Sequence, residues 1–303
     1  MKLPLPPPLV PLLNDDQQLI KIIAETLGRS PELVRSDLRE EESDLGKFHR
    51  EDFKRAGLTP HVWDERFETF YRDTPAPLTG HVVWNRRSEK LKMRAWVGEY
   101  LARGRGSRLQ VLAIGDGTGF DSLYLAQCGH DVTYFELAKD CITFAQRIFD
   151  LAGQPVKIVV DTDELASQSF DVVLCLDVLE HVPNPPEFVR QLASYLRPGG
   201  RMIVHAPFFY VTYHNPTHLR ANQKYSGDLS RLYTQNGLHL VDGSLLWDPL
   251  VLQKADAHGQ APRLRRLRVW MLRAAGCLLA VARFWSFPHN LIAAAIMKKT
   301  ARR

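Results

Sequence analysis

Val111-Leu112-Ala113-Ile114-Gly115-Asp116-Gly117-Thr118-Gly119 decides the fold. Four apolar residues run without a break into three glycines set at every second position. A short unbroken apolar run is what a strand buried on both faces requires. The glycines let the backbone turn sharply and approach a ligand where a Cβ would interfere. Phe120 to Cys128 (FDSLYLAQC) then has helical spacing, with Leu123 and Leu125 as apolar anchors. Strand, glycine turn and helix together form the opening unit of a nucleotide-binding α/β fold.

Outward from that unit, a second apolar run, Asp131 to Phe135, ends in Glu136, 17 residues after Gly119. That is close to the spacing at which an acidic residue ends the second strand and accepts hydrogen bonds from a ribose. Asp161 follows in VVDTDEL, then SFDVVLCLDVLEHVPNP from Ser169 to Pro185, then LRPGGRMIVHAP from Leu196 to Pro207. In this order, Val111 to Pro207 resembles the class I S-adenosylmethionine-dependent methyltransferases. Dinucleotide dehydrogenases share the first glycine turn, but not FDVV and LEHV followed by LRPGG.

The resemblance implies an α/β fold: a Rossmann-like, mostly parallel seven-stranded sheet flanked by helices. It also implies S-adenosylmethionine as cofactor. Gly115, Gly117 and Gly119 would bring backbone close to the amino-acid end and the ribose. Glu136 would take the ribose diol, and Asp161 the adenine amino group. The other readings of these two residues are a solvent-facing Glu136 and a turn-stabilising Asp161. The chain departs from the family in one place: Ala113 stands where an acidic residue is usual, two before the first glycine. Asp116 or Asp177 would then have to order the methionine end.

The strands are expected at 109–114, 131–135, 156–160, 170–176, 200–205, 238–246 and 290–297, with helices at 120–128, 139–152 and 187–196. Such alternation argues for a mostly parallel sheet. Pro198-Gly199-Gly200 reads as the turn into the fifth strand. Three regions follow: a Pro-rich arm over 1–13, a helical N-terminal cap over 14–105, and the cofactor-binding domain over 106–303. Within the cap, Asn14 is the expected N-cap of a first helix stopping at Gly28, and Ser30-Pro31 restarts a second. The charged stretch Arg39 to Arg55 reads as a solvated helix or hinge. Trp63, Phe67, Phe70 and Tyr71 read as core packing, and 84–101 as one helix.

Methyl transfer is an in-line displacement at the sulfonium methyl, so positioning dominates. A hydroxyl acceptor also needs a base, and an amine must arrive neutral. Candidate bases cluster after the fourth and fifth strands, where open α/β sheets bind ligands: Asp177, Glu180, His181, His205, His214 and His218. His181, His214 and His218 are the leading catalytic candidates. His181 also reads as a loop-ordering residue and His218 as a helix cap. Phe208, Phe209, Tyr210 and Tyr213 around the last two histidines could wall an acceptor. Zinc held by His205, His214 and His218 lacks supporting Cys or Asp spacing, so no metal is expected.

The chain is 45% hydrophobic and 24% charged, ordinary for a soluble globular protein, and without a run of about 18 uncharged apolar residues a spanning helix is not expected. Four cysteines without metal spacing suit a reducing cytoplasm, with Cys128 and Cys175 expected buried. The net charge of +5 is uneven: residues 254–303 carry +10 and residues 1–253 carry −5. Arg263 to Trp285 (RLRRLRVWMLRAAGCLLAVARFW) concentrates it. That stretch reads as a helix packed on the sheet before the last strand, as an interfacial membrane helix, or, least well supported, as a nucleic-acid patch. The reading is a methyltransferase acting on a small-molecule hydroxyl, with a lipid-linked acceptor as a variant. The alternative is a methyltransferase-like partner protein binding the cofactor weakly, which Ala113 motivates.

Overall fold

A computed structural model describes residues 10–103, 108–244, 249–256, 266–282 and 284. Seven strands form one sheet in the order β3-β2-β1-β4-β5-β7-β6. They are β1 (Gln110–Ile114), β2 (Asp131–Phe135), β3 (Lys157–Val159), β4 (Phe170–Leu176), β5 (Leu196–His205), β6 (Leu238–Gly243) and β7 (Leu250–Lys254). β1, β2 and β3 pair in parallel, with Ile114 opposite Phe135 and Phe135 opposite Val159. β7 runs antiparallel to both its neighbours, β5 and β6. Val111, Leu112, Ala113 and Ile114 are all buried, as an unbroken apolar strand must be.

Two details of the sheet differ from expectation. Arg197 to Gly200 lie inside β5, which starts at Leu196 rather than after the Pro-Gly-Gly turn. The seventh strand is Leu250–Lys254, while the expected last strand at 290–297 lies outside the described residues. The run Leu250-Val251-Leu252 is apolar and buried, but at five residues β7 is too short to stand out in the sequence.

The chain divides into two compact units. The first comprises 1–48, 68–166 and 170–174. Its helices include α1 (Asp16–Leu27) and α2 (Pro31–Ser43); α3 (Lys47–Arg55) and α4 (Arg66–Asp73) come next in the chain. Asp15, not Asn14, caps α1 by accepting from the Gln18 N–H, and Gly28 ends it in the left-handed conformation. Ser30 caps α2 as expected. The span 84–101 belongs to two helices, α5 (Ala76–Arg86) and α6 (Ser88–Ala102), separated by extended backbone at Arg87. Glu41, expected in solvent, is buried and accepts from the backbone of Gly46 and Phe48. α7 (Phe120–Gln127) and α8 (Lys139–Leu151) follow β1 and β2.

The second unit comprises 49–67, 167–169 and 175–303. In it Arg50 and Asp52 are buried while Glu51, Lys54 and Arg55 are exposed, so the charged stretch is solvated only in part. Phe67 packs edge-on to Phe53 at 5.1 Å, whereas Trp63 is exposed. Cys128, in the first unit, is likewise exposed rather than buried, while Cys175 is buried as expected. α9 (Pro185–Tyr195) precedes β5. α10 (Arg266–Ala282) comes after all seven strands, and residues 263–265, 283 and 285 of the expected basic helix lie outside the described residues.

α10 is anchored on one face. Val269 and Leu272 are buried, and Arg268 ion-pairs with the buried Asp242 of β6. A Cβ on Gly227 (φ +72°) would lie 1.9 Å from the Gly276 carbonyl oxygen. Gly227→Ala therefore adds left-handed backbone strain to a backbone clash. Unfolding in urea should show a loss of about 1 to 3 kcal/mol; an unchanged midpoint would contradict this packing.

Candidate active site

The first unit carries the glycine turn. Gly115, Gly117 and Gly119 all have positive φ, at 66°, 57° and 76°. At two of them there is also no room for a side chain. A Cβ on Gly117 would stand 2.3 Å from Nδ1 of His81 on α5, and one on Gly119 would stand 2.9 Å from Cβ of Ala145 on α8. The Gly117 N–H donates to Glu136 Oε2 at 2.8 Å, and the buried Tyr134 hydroxyl donates to the Gly117 carbonyl. Glu136 also accepts from the backbone N–H groups of Leu137 and Ala138. Burial raises its pKa against those three donors. Its carboxylate thus faces the turn, with acceptor capacity beyond three bonds.

Asp116 turns away from the strand and into α7, accepting from the Ser122 N–H at 2.7 Å and the Asp121 N–H at 3.2 Å. It acts as the helix cap. Burial, reinforced by the nearby Asp121 charge, lifts its pKa to about 7. Asp121 moves the other way: burial opposes its charge, but the cations Lys90 (3.0 Å) and Arg94 (2.7 Å) overcome burial and lower its pKa. Arg94 also donates to Asn85, whose amide donates to Thr118 Oγ1 in the glycine turn at 3.1 Å. Asp161 stands apart, exposed, and caps the short turn Thr162–Glu164 through the Asp163 N–H.

The second unit carries the histidines. Asp177, with φ +60°, follows β4 and holds Nδ1 of His205, the last residue of β5, at 2.6 Å. Glu180 is 1% exposed. Its Oε1 lies 3.7 Å from His181 Nε2 and 3.9 Å from His218 Nε2. The two imidazoles meet edge to face, with centroids 4.8 Å apart. Burial pushes His181 down to about 4 and His218 well below the ordinary value. His49 is also pushed down to about 4, by burial and then by His181 and Arg50. His214 stacks edge-on to Tyr213 at 5.5 Å.

The expected residues therefore fall into groups. Gly115, Asp116, Gly117, Gly119 and Glu136 come together at the turn. Asp177 joins His205, and His181 joins His218 through Glu180. The zinc set His205, His214 and His218 is not what the structure assembles; His218 shares Glu180 with His181 instead. His81, Asn85 and His61 were not identified from the sequence. His81 and Asn85 sit four apart on α5, a spacing that marks one helix face, yet nothing in it points to the glycine turn.

Strand, glycine turn and the acidic end of β2 have the layout of a nucleotide-type cofactor site on an α/β sheet. Residues 84–278 match the methyltransferase domain family. The chain belongs to that family, within the class I S-adenosylmethionine-dependent methyltransferases. Among curated relatives it is similar to the ubiquinone biosynthesis O-methyltransferase of Bordetella avium (strain 197N), 35% identical over 125 residues, 40% of this chain and 49% of that one. It is also similar to the protein of that name from Xanthomonas axonopodis pv. citri (strain 306), 36% identical over 111 residues, 35% of this chain and 46% of that one. The chain spans about half the length of these relatives. Among solved structures, the 1,6-didemethyltoxoflavin-N1-methyltransferase of Burkholderia thailandensis is 20% identical, covers 57% of this chain and 81% of its own, and has a TM-score of 0.43.

The raised pKa of Asp116 sets a pH dependence. Its protonated form is favoured in the folded state, so that stability is present below the ordinary value of 3.8 and is lost as pH rises through about 7. Asp116→Asn keeps the acceptor for Ser122 and never charges. Thermal unfolding should show the variant more stable than wild type above that range, with the gap closing as pH falls. A gap that stays constant across the range would contradict the burial of this carboxylate.

Proposed function

We propose that the protein transfers the S-adenosylmethionine methyl group to a hydroxyl of a small-molecule acceptor. The observation that carries the cofactor half is the glycine turn whose Gly117 N–H is held by the Glu136 carboxylate. In this reading Gly115, Asp116, Gly117, Gly119, Glu136 and Asp161 serve the cofactor, and His181, His214 and His218 serve the acceptor. Ubiquinone biosynthesis O-methyltransferases are the relatives it matches, and this supports oxygen as the methylated atom.

The chemistry is balanced by one proton acceptor. S-adenosylmethionine, when bound, would supply a sulfonium methyl that passes to the acceptor oxygen as the C–S bond breaks, with neutral S-adenosylhomocysteine as leaving group. The hydroxyl proton needs a base, and His205 has the arrangement for it: its Nδ1 is held by Asp177, which orients the ring and favours the imidazolium that forms. Asp177 then acts through His205 as a positioning residue.

α10 supports a peripheral membrane contact at the cytoplasmic face. Leu267, Trp270, Met271, Leu278 and Val281 are exposed along it, and residues 254–303 are strongly basic. No described helix is long and apolar enough to cross a membrane.

Titration calorimetry with S-adenosylmethionine and S-adenosylhomocysteine tests the cofactor half. Both should bind in the micromolar range. Gly117→Arg should abolish binding, because the turn has no room even for a Cβ. Asp161→Ala should weaken it while the melting curve stays in place, since Asp161 is exposed. No binding to wild type at millimolar ligand would replace this reading with a partner protein. For the acceptor half, labelled-methyl transfer by His205→Ala should lose kcat at little change in cofactor affinity, with Asp177→Asn following it in part.

A further inference from the structure

We propose that Glu180, His181 and His218 form a binding site for one divalent transition-metal ion. The three ligand atoms lie within 4.8 Å of one another, and both imidazole Nε2 atoms address the same carboxylate oxygen. Two donors on a zinc-sized ion, each about 2.1 Å from it, stand about 3.4 Å apart. The separations of 3.7 and 3.9 Å are therefore slightly too wide for hydrogen bonds and close to those of a shared ion.

The hydrogen bonds around the cluster argue for coordination rather than for a simple ion pair. His218 Nδ1 lies 2.6 Å from the Tyr210 carbonyl oxygen, which can only accept. Nδ1 must carry the proton. The neutral ring then presents the lone pair of Nε2 toward the Glu180 carboxylate, an arrangement that is repulsive until a cation stands between them. A ligating histidine fixed through its other nitrogen by a carbonyl is the usual outer support of a metal site. The backbone carbonyl of His218 is itself held by His61 Nδ1 at 3.0 Å. His181 is bonded in turn to the backbone of Thr217, the residue before His218. Putting a proton on both rings instead would set two like charges 4.8 Å apart beside one buried carboxylate.

Two nitrogens and one oxygen suit Zn2+, Co2+, Mn2+ or Fe2+ better than the oxygen-seeking Mg2+ or Ca2+. Three protein ligands leave further positions open, as in catalytic sites. Resting on the methyl-transfer reading, an acceptor oxygen bound there would be polarised and its hydroxyl acidified before the proton passes to a base.

The probe is Co2+, followed by its visible d–d absorption and by calorimetry on the full chain with thiols blocked. Wild type should bind one Co2+ per chain in the micromolar range. Glu180→Gln, nearly the same size, should weaken binding at least tenfold, and so should His218→Ala, while His239→Ala on β6 should leave it unchanged. If the histidine variant fails to fold, Glu180→Gln decides alone, with its melting curve in chelator as the control. Absence of binding at millimolar Co2+, or equal binding by Glu180→Gln, overturns the site. S-adenosylhomocysteine calorimetry on the same samples separates the two readings. Cofactor binding without cobalt sinks only the metal site, and cobalt binding without cofactor sinks only the methyl-transfer reading.

Discussion

The turn after β1 runs through three residues of positive φ, and the first unit is arranged to hold it. A backbone bent this sharply exposes N–H and C=O groups that neither strand nor helix can pair. Glu136 takes the Gly117 N–H, Tyr134 donates to the Gly117 carbonyl, and Asp116 takes two N–H groups at the start of α7. Each partner comes from an element whose position the turn itself sets. β2 must lie beside β1 for Glu136 and Tyr134 to reach, and α7 must start at Phe120 for Asp116 to cap it. The absence of a Cβ is as necessary as these bonds, because His81 and Ala145 close over Gly117 and Gly119.

A buried charge network extends that constraint to the N-terminal helices. Lys90 and Arg94 of α6 are both buried against Asp121 of α7. Removing one partner from such a network leaves a charge without compensation, which costs about 3 to 5 kcal/mol. Asn85 links Arg94 to Thr118, so a helix of the cap region is tied by hydrogen bonds to the turn itself. The helices α5 and α6 therefore do more than cover apolar surface: they fix the glycine turn.

The strands that carry the turn were legible because each is an unbroken apolar run, and the place of Glu136 at the turn because it follows such a run at a fixed offset. The failures have a common cause. Glu41, Arg50 and Asp52 sit in polar sequence, and a charged residue on a helix reads as solvated unless its partner is known. Glu41 takes its partners, the Gly46 and Phe48 N–H groups, across a turn, and Arg50 lies over the ring of Tyr213 far along the chain. β7 failed for the opposite reason: its apolar residues are three in a row and follow a stretch without periodicity. Asp116, read with Asp177 as a stand-in for the acidic residue missing at Ala113, also caps α7, a second demand set by the helix N-terminus directly after it.

The histidines show the same limit in sharper form. His181 is visible in LEHV and His218 in the aromatic loop, but 37 positions separate them and neither spacing resembles a metal motif. What joins them is Glu180, whose backbone carbonyl accepts the Leu219 N–H at 3.0 Å. That bond draws the loop after β5 back over the loop after β4, and it sets His218 beside the buried carboxylate. Asn222 reinforces the same return by donating to the carbonyls of Glu180 and Val182. The pairing of two histidines around one carboxylate thus follows from backbone hydrogen bonds between loops, which no residue pattern records. A change in the length of the loop between Phe208 and Arg220 would shift that register and separate the three side chains while leaving every motif in the sequence intact.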